Sequence, residues 1–421
     1  SRQGRVSPTS IQPNGAIHER SSTGPKSPCT DRNPRGGLFA PQHWRVIGAG
    51  ISARAGGLGD VSAALIRALF NQGADVHVAL PHYRTMFGGR YGPLAKFRCQ
   101  ALQGGMPMER VHLAEDRVFF YRNHVYANDL RTNLKIALTF QREVINNIIP
   151  LVQPDLIHCN DWMTALIPAM ARRLGILCLF TFHNIHSVRA TLADIEDSGI
   201  DTAFFWQNLY YHYFPDSYEN MYDTNAVDFL LSGIFAAHYV NTVSETFLTE
   251  LVEGRHDFVT APLREELAHK WAAGCAAGIL NAPDPSLDPA TDQNLAENYG
   301  PADHAPSKRR NKRFLQRFLG LMEDEQAPVL FWPSRLDGLQ KGCQLLAEIL
   351  YLIVSRYWEH HLQLVFVGDG EYQQVFREIV AHHRFWNRVA VCNFNEGLAR
   401  QAYGASDFVL MPSRFEPCGL P

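Results

Sequence analysis

The sequence predicts an α/β protein with two Rossmann-like, doubly wound domains facing a cleft. Three observations support this. Short apolar runs alternate with amphipathic stretches from Trp44 onward, the signature of β-α units and parallel sheets. The alternation stops in a segment dense in Pro, Asp and Asn, then restarts. Residues able to do chemistry gather where the apolar runs end, and open α/β folds bind ligands outside the carboxyl ends of their strands.

The chain has 421 residues, enough for two or three domains, and 46% hydrophobic content supports real cores. A formal net charge of -3 argues against a general binder of nucleic acid or membrane surfaces. No apolar run approaches the roughly 20 residues that cross a bilayer. Eight cysteines are scattered without a CxxC, which reads as reduced, mostly buried thiols in a cytoplasmic setting.

Residues 1–43 are rich in Ser, Pro, Gly and Arg, lack apolar periodicity and are expected to be disordered. They read as a tail or linker, or as a transit peptide to a plastid, since they are rich in Arg and Ser and poor in acids. The first domain spans 44–280. "WRVIGAG" (44–50) reads as a buried strand, "GLGDVSAALIRALFNQG" (57–73) as an amphipathic helix closed by Gly73, and "DVHVALP" (75–81) as the next strand. "PDLIHCND" (154–161) is a strand, "WMTALIPAMARRLG" (162–175) a helix and "ILCLFTFHN" (176–184) a strand. "AVDFLLSGIFAA" (226–237) follows as a helix and "HYVNTVS" (238–244) as a strand.

The linker is placed at 281–305 by its Pro, Asp and Asn content. A second domain, 306–421, repeats the alternation. Its strands are "APVLFWPSR" (327–335), "LQLVFVGDG" (362–370), "RVAVCNF" (388–394) and "SDFVLMPSR" (406–414). Its helices are "KGCQLLAEILYLIVSRY" (341–357), "EYQQVFREIVAHH" (371–383) and "EGLARQAYGA" (396–405).

Several strand ends carry candidate chemistry. "RAGGLGDV" (54–61) is a Gly-rich turn before a helix, where backbone can approach an anion closely. A plain tight turn explains it equally well. "HCNDW" and "TFHN" bring His158, Asp161 and His183 to two strand ends. Their spacing fits no common zinc site, because neighbouring residues on a strand point to opposite faces. Asp161 serves there either as a helix cap or as a cleft carboxylate. "SRLDGLQKG" sets Arg335 and Lys341 around a strand-to-helix turn. Two cations at such a turn suit a diphosphate, or are simply solvated. In "SRFEPCGLP", Glu416 ends a strand, where it suits sugar hydroxyls or caps a helix. The amides of Cys418, Gly419 and Leu420 are expected to open a helix aimed at an anion.

Taken in order, "RAGGLGDVSAAL", "HCNDW", "TFHNIH", "NTVSETFLTEL", "GILNAPDPSLDP", "KRRNKRFLQRFLGL", "PSRLDGLQKG" and "SRFEPCGL" resemble the bacterial glycogen synthases and plant starch synthases. The resemblance runs from Trp44 to the last residue. It implies a GT-B fold and a retaining glucosyltransferase of glycosyltransferase family 5. The implied donor is ADP-glucose, or UDP-glucose in some relatives, and the acceptor is the non-reducing end of an α-1,4-glucan. No metal or other cofactor is implied. The family continues beyond the position of Pro421, so the chain is expected to be cut within its second domain and, as it stands, inactive.

By the same resemblance, Gly56, Gly57 and Gly59 lie near the donor phosphates and Asp161 is the cleft aspartate. His183 contacts the transferred glucose. Arg335 and Lys341 hold the diphosphate, Glu416 contacts the sugar, and Asn281 lines the donor side. One position departs from the family pattern. Arg54 stands where the family usually has a lysine that reaches the nucleotide phosphates. Charge is kept there but geometry is not. Three rivals remain: a sucrose- or trehalose-type synthase of the same fold, a non-catalytic glucan-binding paralogue, and a dinucleotide-dependent dehydrogenase. The last lacks its GxGxxG fingerprint after the first strand.

Overall fold

Among the described residues, seven strands make the first sheet, all parallel, in the order β3-β2-β1-β4-β5-β8-β9. They are β1 (Arg45–Ala49), β2 (Asp75–Pro81), β3 (Val111–Ala114), β4 (Leu156–Asn160), β5 (Leu177–Phe182), β8 (Tyr239–Thr242) and β9 (Ala276–Gly278). A two-residue antiparallel pair, β6 (Arg189–Ala190) with β7 (Val227–Asp228), stands apart. The computed structural model describes residues 45–49, 57–84, 107–122, 125, 127, 129–283 and 285–419. Arg54, Gly56 and Leu420, the expected disorder of 1–43 and the chain end lie outside them.

The helices that cover this sheet include α1 (Gly57–Asn71), α2 (Leu130–Glu143), α3 (Ile167–Arg173), α4 (Phe229–Ala236), α5 (Glu245–Glu253) and α6 (Ala261–Ala272). Gly57 and Gly59 fall in the first turn of α1. Phe180 and Phe182 of β5 sit in the middle of the core with Ile157, Phe140 and Phe229. Helix α4 approaches β5 so closely that a Cβ at Gly233 would stand 2.5 Å from the Phe180 ring. Only glycine fits that contact. A fully buried phenylalanine here contributes about 1.5–3 kcal/mol from apolar area alone.

The second sheet has four parallel strands in the order β12-β11-β10-β13. These are β10 (Val329–Trp332), β11 (Gln363–Val367), β12 (Val389–Cys392) and β13 (Phe408–Val409). Every residue of β11 is buried. The pleat sends Leu364 and Phe366 to one face, against α8 (Cys343–Arg356) and α9 (Tyr372–His383). Val365 and Val367 go to the other, with α7 (His304–Leu319) and α10 (Glu396–Ala405). A parallel strand covered on both faces reads as an unbroken apolar run, as this one does. Both sheets lie in one compact unit.

Several sequence readings are corrected. The helix expected over 162–175 is a 3-10 turn, Trp162–Thr164, followed by α3 from Ile167. Pro168 suits the first turn of a helix but not its middle, so the helix restarts there. The strand expected over 406–414 keeps only Phe408 and Val409, because β10 offers a partner for just that stretch. Residues 417 and 418 form a bend and Gly419 takes φ +76°; the helix expected from Cys418 would run through Leu420 and Pro421, which lie outside the described residues. Cys275 is disulfide-bonded, against the expectation of reduced thiols, while Cys159, Cys178, Cys343, Cys392 and Cys418 are free.

The stretch placed as linker packs onto the second sheet's helices. Ala296 N–H donates to Gln401 Oε1 at 3.0 Å, and Arg400 bonds the Ser286 carbonyl at 2.7 Å and Asp292 at 3.3 Å.

Candidate active site

Strand order fixes where ligands can sit. In the first sheet the chain moves outward from β1 through β2 to β3, then reverses through β4 and β5. The reversal falls between β1 and β4. In the second sheet it runs from β10 through β11 to β12 and returns to β13, so the reversal falls between β10 and β13. Adjacent loops diverge at such a switch point and leave a crevice. Asp161 follows β4, Arg335 and Lys341 follow β10, and Glu416 follows β13.

Asp161 leaves β4 with φ 57° and ψ 175°. That conformation costs a side-chain-bearing residue about 1–3 kcal/mol and persists only where the surroundings enforce it. Here they do. Asp161 N–H donates to the Thr181 carbonyl at 2.9 Å, and Thr164 N–H donates to the Asp161 carbonyl at 3.1 Å. The Thr164 hydroxyl bonds the Asn160 carbonyl at 2.8 Å. The strain aims the carboxylate back across the sheet, where Oδ1 accepts the His183 N–H at 2.7 Å. Asp161 makes no side-chain cap to the following 3-10 turn. The helix-cap reading therefore falls.

Burial pushes the Asp161 carboxyl up to about 6, against the opposing pull of the His183 and Asn184 amides and of His186. His183 is held down at about 4 by burial, so its imidazole is neutral near pH 7. Its Nε2 lies 3.1 Å from Asn160 Oδ1, an acceptor that places the ring proton on Nε2. A neutral imidazole can contact a sugar hydroxyl without adding charge.

Behind this pair His158, which the sequence placed at a strand end, joins a polar row through Thr181 and Asn241, which the sequence reading missed. The Thr181 hydroxyl donates to Asn241 Oδ1 at 2.5 Å and therefore accepts from His158 Nε2 at 2.7 Å. Burial first, and His183 second, hold His158 at about 4. Asn160, Thr181 and Asn241 are in register across β4, β5 and β8. The signal was available: each is a polar residue near the end of a buried apolar run.

The second cluster is built on the turn between β10 and α8. Lys341 Nζ donates to Glu416 Oε1 at 2.6 Å, and the same oxygen accepts the Ser413 hydroxyl at 2.6 Å. Arg414 N–H donates to the Gln340 carbonyl at 2.8 Å, stitching the two turns together. Gly342, at φ +75°, permits the approach: a Cβ there would lie 2.0 Å from the Pro412 carbonyl oxygen. Arg335 is exposed, and among the described residues no acid pairs with its guanidinium. Asn281 is half-buried in coil beyond β9. The fold thus joins Asp161 to His183 and Lys341 to Glu416.

Residues 49–261 match the starch synthase catalytic domain, and residues 327–421 match the glycosyl transferases group 1 domain. The glycogen synthase of Moorella thermoacetica is 34% identical over 395 residues, covering 87% of this chain and 75% of that protein. The chain belongs to the glycogen and starch synthase family. The glycogen synthase of Geotalea uraniireducens is 32% identical over 409 residues and is covered over 77% of its length. Among solved structures, the catalytic domain of starch synthase IV from Arabidopsis thaliana, bound to ADP and acarbose, superposes with a TM-score of 0.70 at 26% identity. That likeness covers 90% of this chain and 79% of that one. Sucrose-phosphate synthase from Thermosynechococcus elongatus, at TM-score 0.51 and 16% identity, shares the fold alone. The fold is GT-B, with two Rossmann-like lobes, and family membership makes the protein a hexosyltransferase and disfavours the dehydrogenase and the binding paralogue.

No helix among the described residues is long and apolar enough to cross a membrane. No group of three or more His, Cys, Asp or Glu among them is arranged to hold a metal ion.

Proposed function

We propose that the protein transfers glucose from ADP-glucose to the non-reducing end of an α-1,4-glucan, with retention at the anomeric carbon. The observation that supports this reading is that both clusters follow strands at the switch points of the two sheets. One holds a neutral imidazole and a carboxylate; the other holds two cations and a carboxylate. A relative bound to ADP and acarbose supports the choice of nucleotide and glucan.

Breaking the bond between glucose C1 and the phosphate oxygen leaves the electron pair on ADP. Arg335 and Lys341 meet that growing charge. Interactions that strengthen as charge develops are those that accelerate a reaction. The acceptor hydroxyl attacks C1 from the face the diphosphate leaves, and its proton passes to the departing phosphate oxygen. Asp161 faces the positive charge that builds on the sugar ring. His183 and Glu416 hold sugar hydroxyls. Arg54, Gly56, Gly57, Gly59 and Asn281 complete the donor side. The reading needs no metal, because the cations already present meet the diphosphate. A cytoplasmic setting goes with it.

The test is nucleotide release by the full-length protein with glycogen, offered ADP-glucose and UDP-glucose separately, with and without EDTA. Glycogen-dependent ADP release, unchanged by EDTA, is expected. Release only from UDP-glucose overturns the donor. Glycogen binding without release from either donor overturns the enzyme reading.

A further inference from the structure

We propose that Phe258, in the first lobe, is a positioning residue for Glu416 in the second, acting through Phe415. The inference rests on the reading of Glu416 as a sugar-contacting group. After α5 the chain turns at Gly254 and runs through 255–260 before α6. In that loop the His256 ring stacks on Phe258, centroids 4.9 Å apart and 22° from parallel, and His256 Nε2 lies 3.0 Å from Glu250 Oε2 on α5. Phe258 is thus held on its own lobe, yet 41% of its surface is exposed.

What lies against it comes from the other lobe. The Phe415 ring stands 4.5 Å from Phe258 and 6.3 Å from His256, and it packs against the first lobe's core. Phe415 belongs to the turn that follows β13 and immediately precedes Glu416. That turn therefore has two tethers. To its own lobe it is tied by polar bonds: Arg414 N–H to the Gln340 carbonyl, Gln340 Nε2 to the Phe415 carbonyl at 3.4 Å, and Lys341 to Glu416. To the first lobe it is tied by an aromatic pair.

The polar bonds fix where Glu416 sits relative to the cations. The ring pair fixes the same turn relative to the lobe that carries Asp161 and His183. Ring contacts of this kind, close to Phe258 and more distant to His256, are weak enough to part and remake, as a cleft that admits a polymer end requires. Closing the pair sets Glu416 against the donor sugar; parting it frees the cleft.

The experiment compares Phe258→Ala, Phe258→Leu and Phe258→Tyr with the parent in the full-length protein. Two readouts are taken: amide exchange, and the kinetics of ADP release. For Phe258→Ala, exchange of the amides at 413–416 should rise about tenfold while α5 and α6 stay unchanged. kcat should fall about tenfold with ADP affinity within about twofold of the parent, since Arg335 and Lys341 are untouched. Tyr should restore both readouts and Leu part of each. Unchanged exchange at 413–416, or faster exchange confined to α5 and α6, overturns the proposal. An active parent whose Phe258→Ala variant keeps full kcat also overturns it. A parent that releases no ADP sinks the functional reading instead, and the exchange experiment still decides the contact.

Discussion

Replacing Asp161 by Asn measures the charge that folding tolerates at the end of β4. The unfolded carboxyl titrates near 3.8 and the folded one near 6. Between those values the native state holds a proton that the unfolded state has lost, so stability falls as pH rises through the window. A shift of roughly two units corresponds to about 3 kcal/mol, and the full penalty stands above pH 6. Asn has the same shape, keeps an oxygen for the His183 amide and tolerates a positive φ. The variant should therefore be more stable than the parent at pH 8, by up to about 3 kcal/mol, and equal to it near pH 4. His158 and His183 carry the opposite slope. Held near 4 in the fold against an ordinary 6.5, they cost stability as pH falls through that range. That loss is common to both proteins and cancels in the difference. Thermal unfolding of the pair from pH 4 to 8 at constant ionic strength reads the effect, as a melting temperature that separates with rising pH. Glucosyl transfer by the variant should fall at the same time, since residues that serve a reaction are often the ones that strain the fold. A variant that melts at or below the parent at pH 8, or a gap that does not change with pH, refutes the reasoning.

Three further outcomes follow from the same geometry. Arg335→Ala should leave the melting temperature unchanged and weaken ADP binding about tenfold or more, because charge-assisted bonds contribute about 1.5–3 kcal/mol and this side chain is exposed with no acid paired to it among the described residues; thermal unfolding reads the first half of the claim and titration calorimetry the second. Gly342→Ala should destabilise the second lobe by about 3 kcal/mol or more, from the left-handed backbone and a Cβ driven into the Pro412 carbonyl, and a variant that melts like the parent refutes the packing. Thr181→Val should cost about 2–4 kcal/mol by leaving His158 Nε2 and Asn241 Oδ1 without their shared partner; a loss under about 1 kcal/mol in thermal unfolding would mean that the row contributes little.

The β-α alternation was legible because parallel strands covered on both faces must be continuous apolar runs. Strand β11, buried at every position, is the clearest case. Strands β3 and β9 were not legible. They are four and three residues long, and Val111–Ala114 contains a histidine while Ala276–Gly278 has no large apolar side chain. Such stretches become strands only because a neighbour offers them a register.

At the site, residue types at strand ends were readable but their pairing was not. Sequence separates Lys341 from Glu416 by 75 positions, and their contact depends on β13 returning to lie beside β10. The turn after β13 is already committed: Ser413 and Lys341 hold the Glu416 carboxylate, Gln340 holds the backbone, and Phe415 is drawn to the opposite lobe. The ties to Lys341, Gln340 and Phe258 join residues far apart in the chain, so no local preference announces them and only the return of β13 beside β10 brings them together.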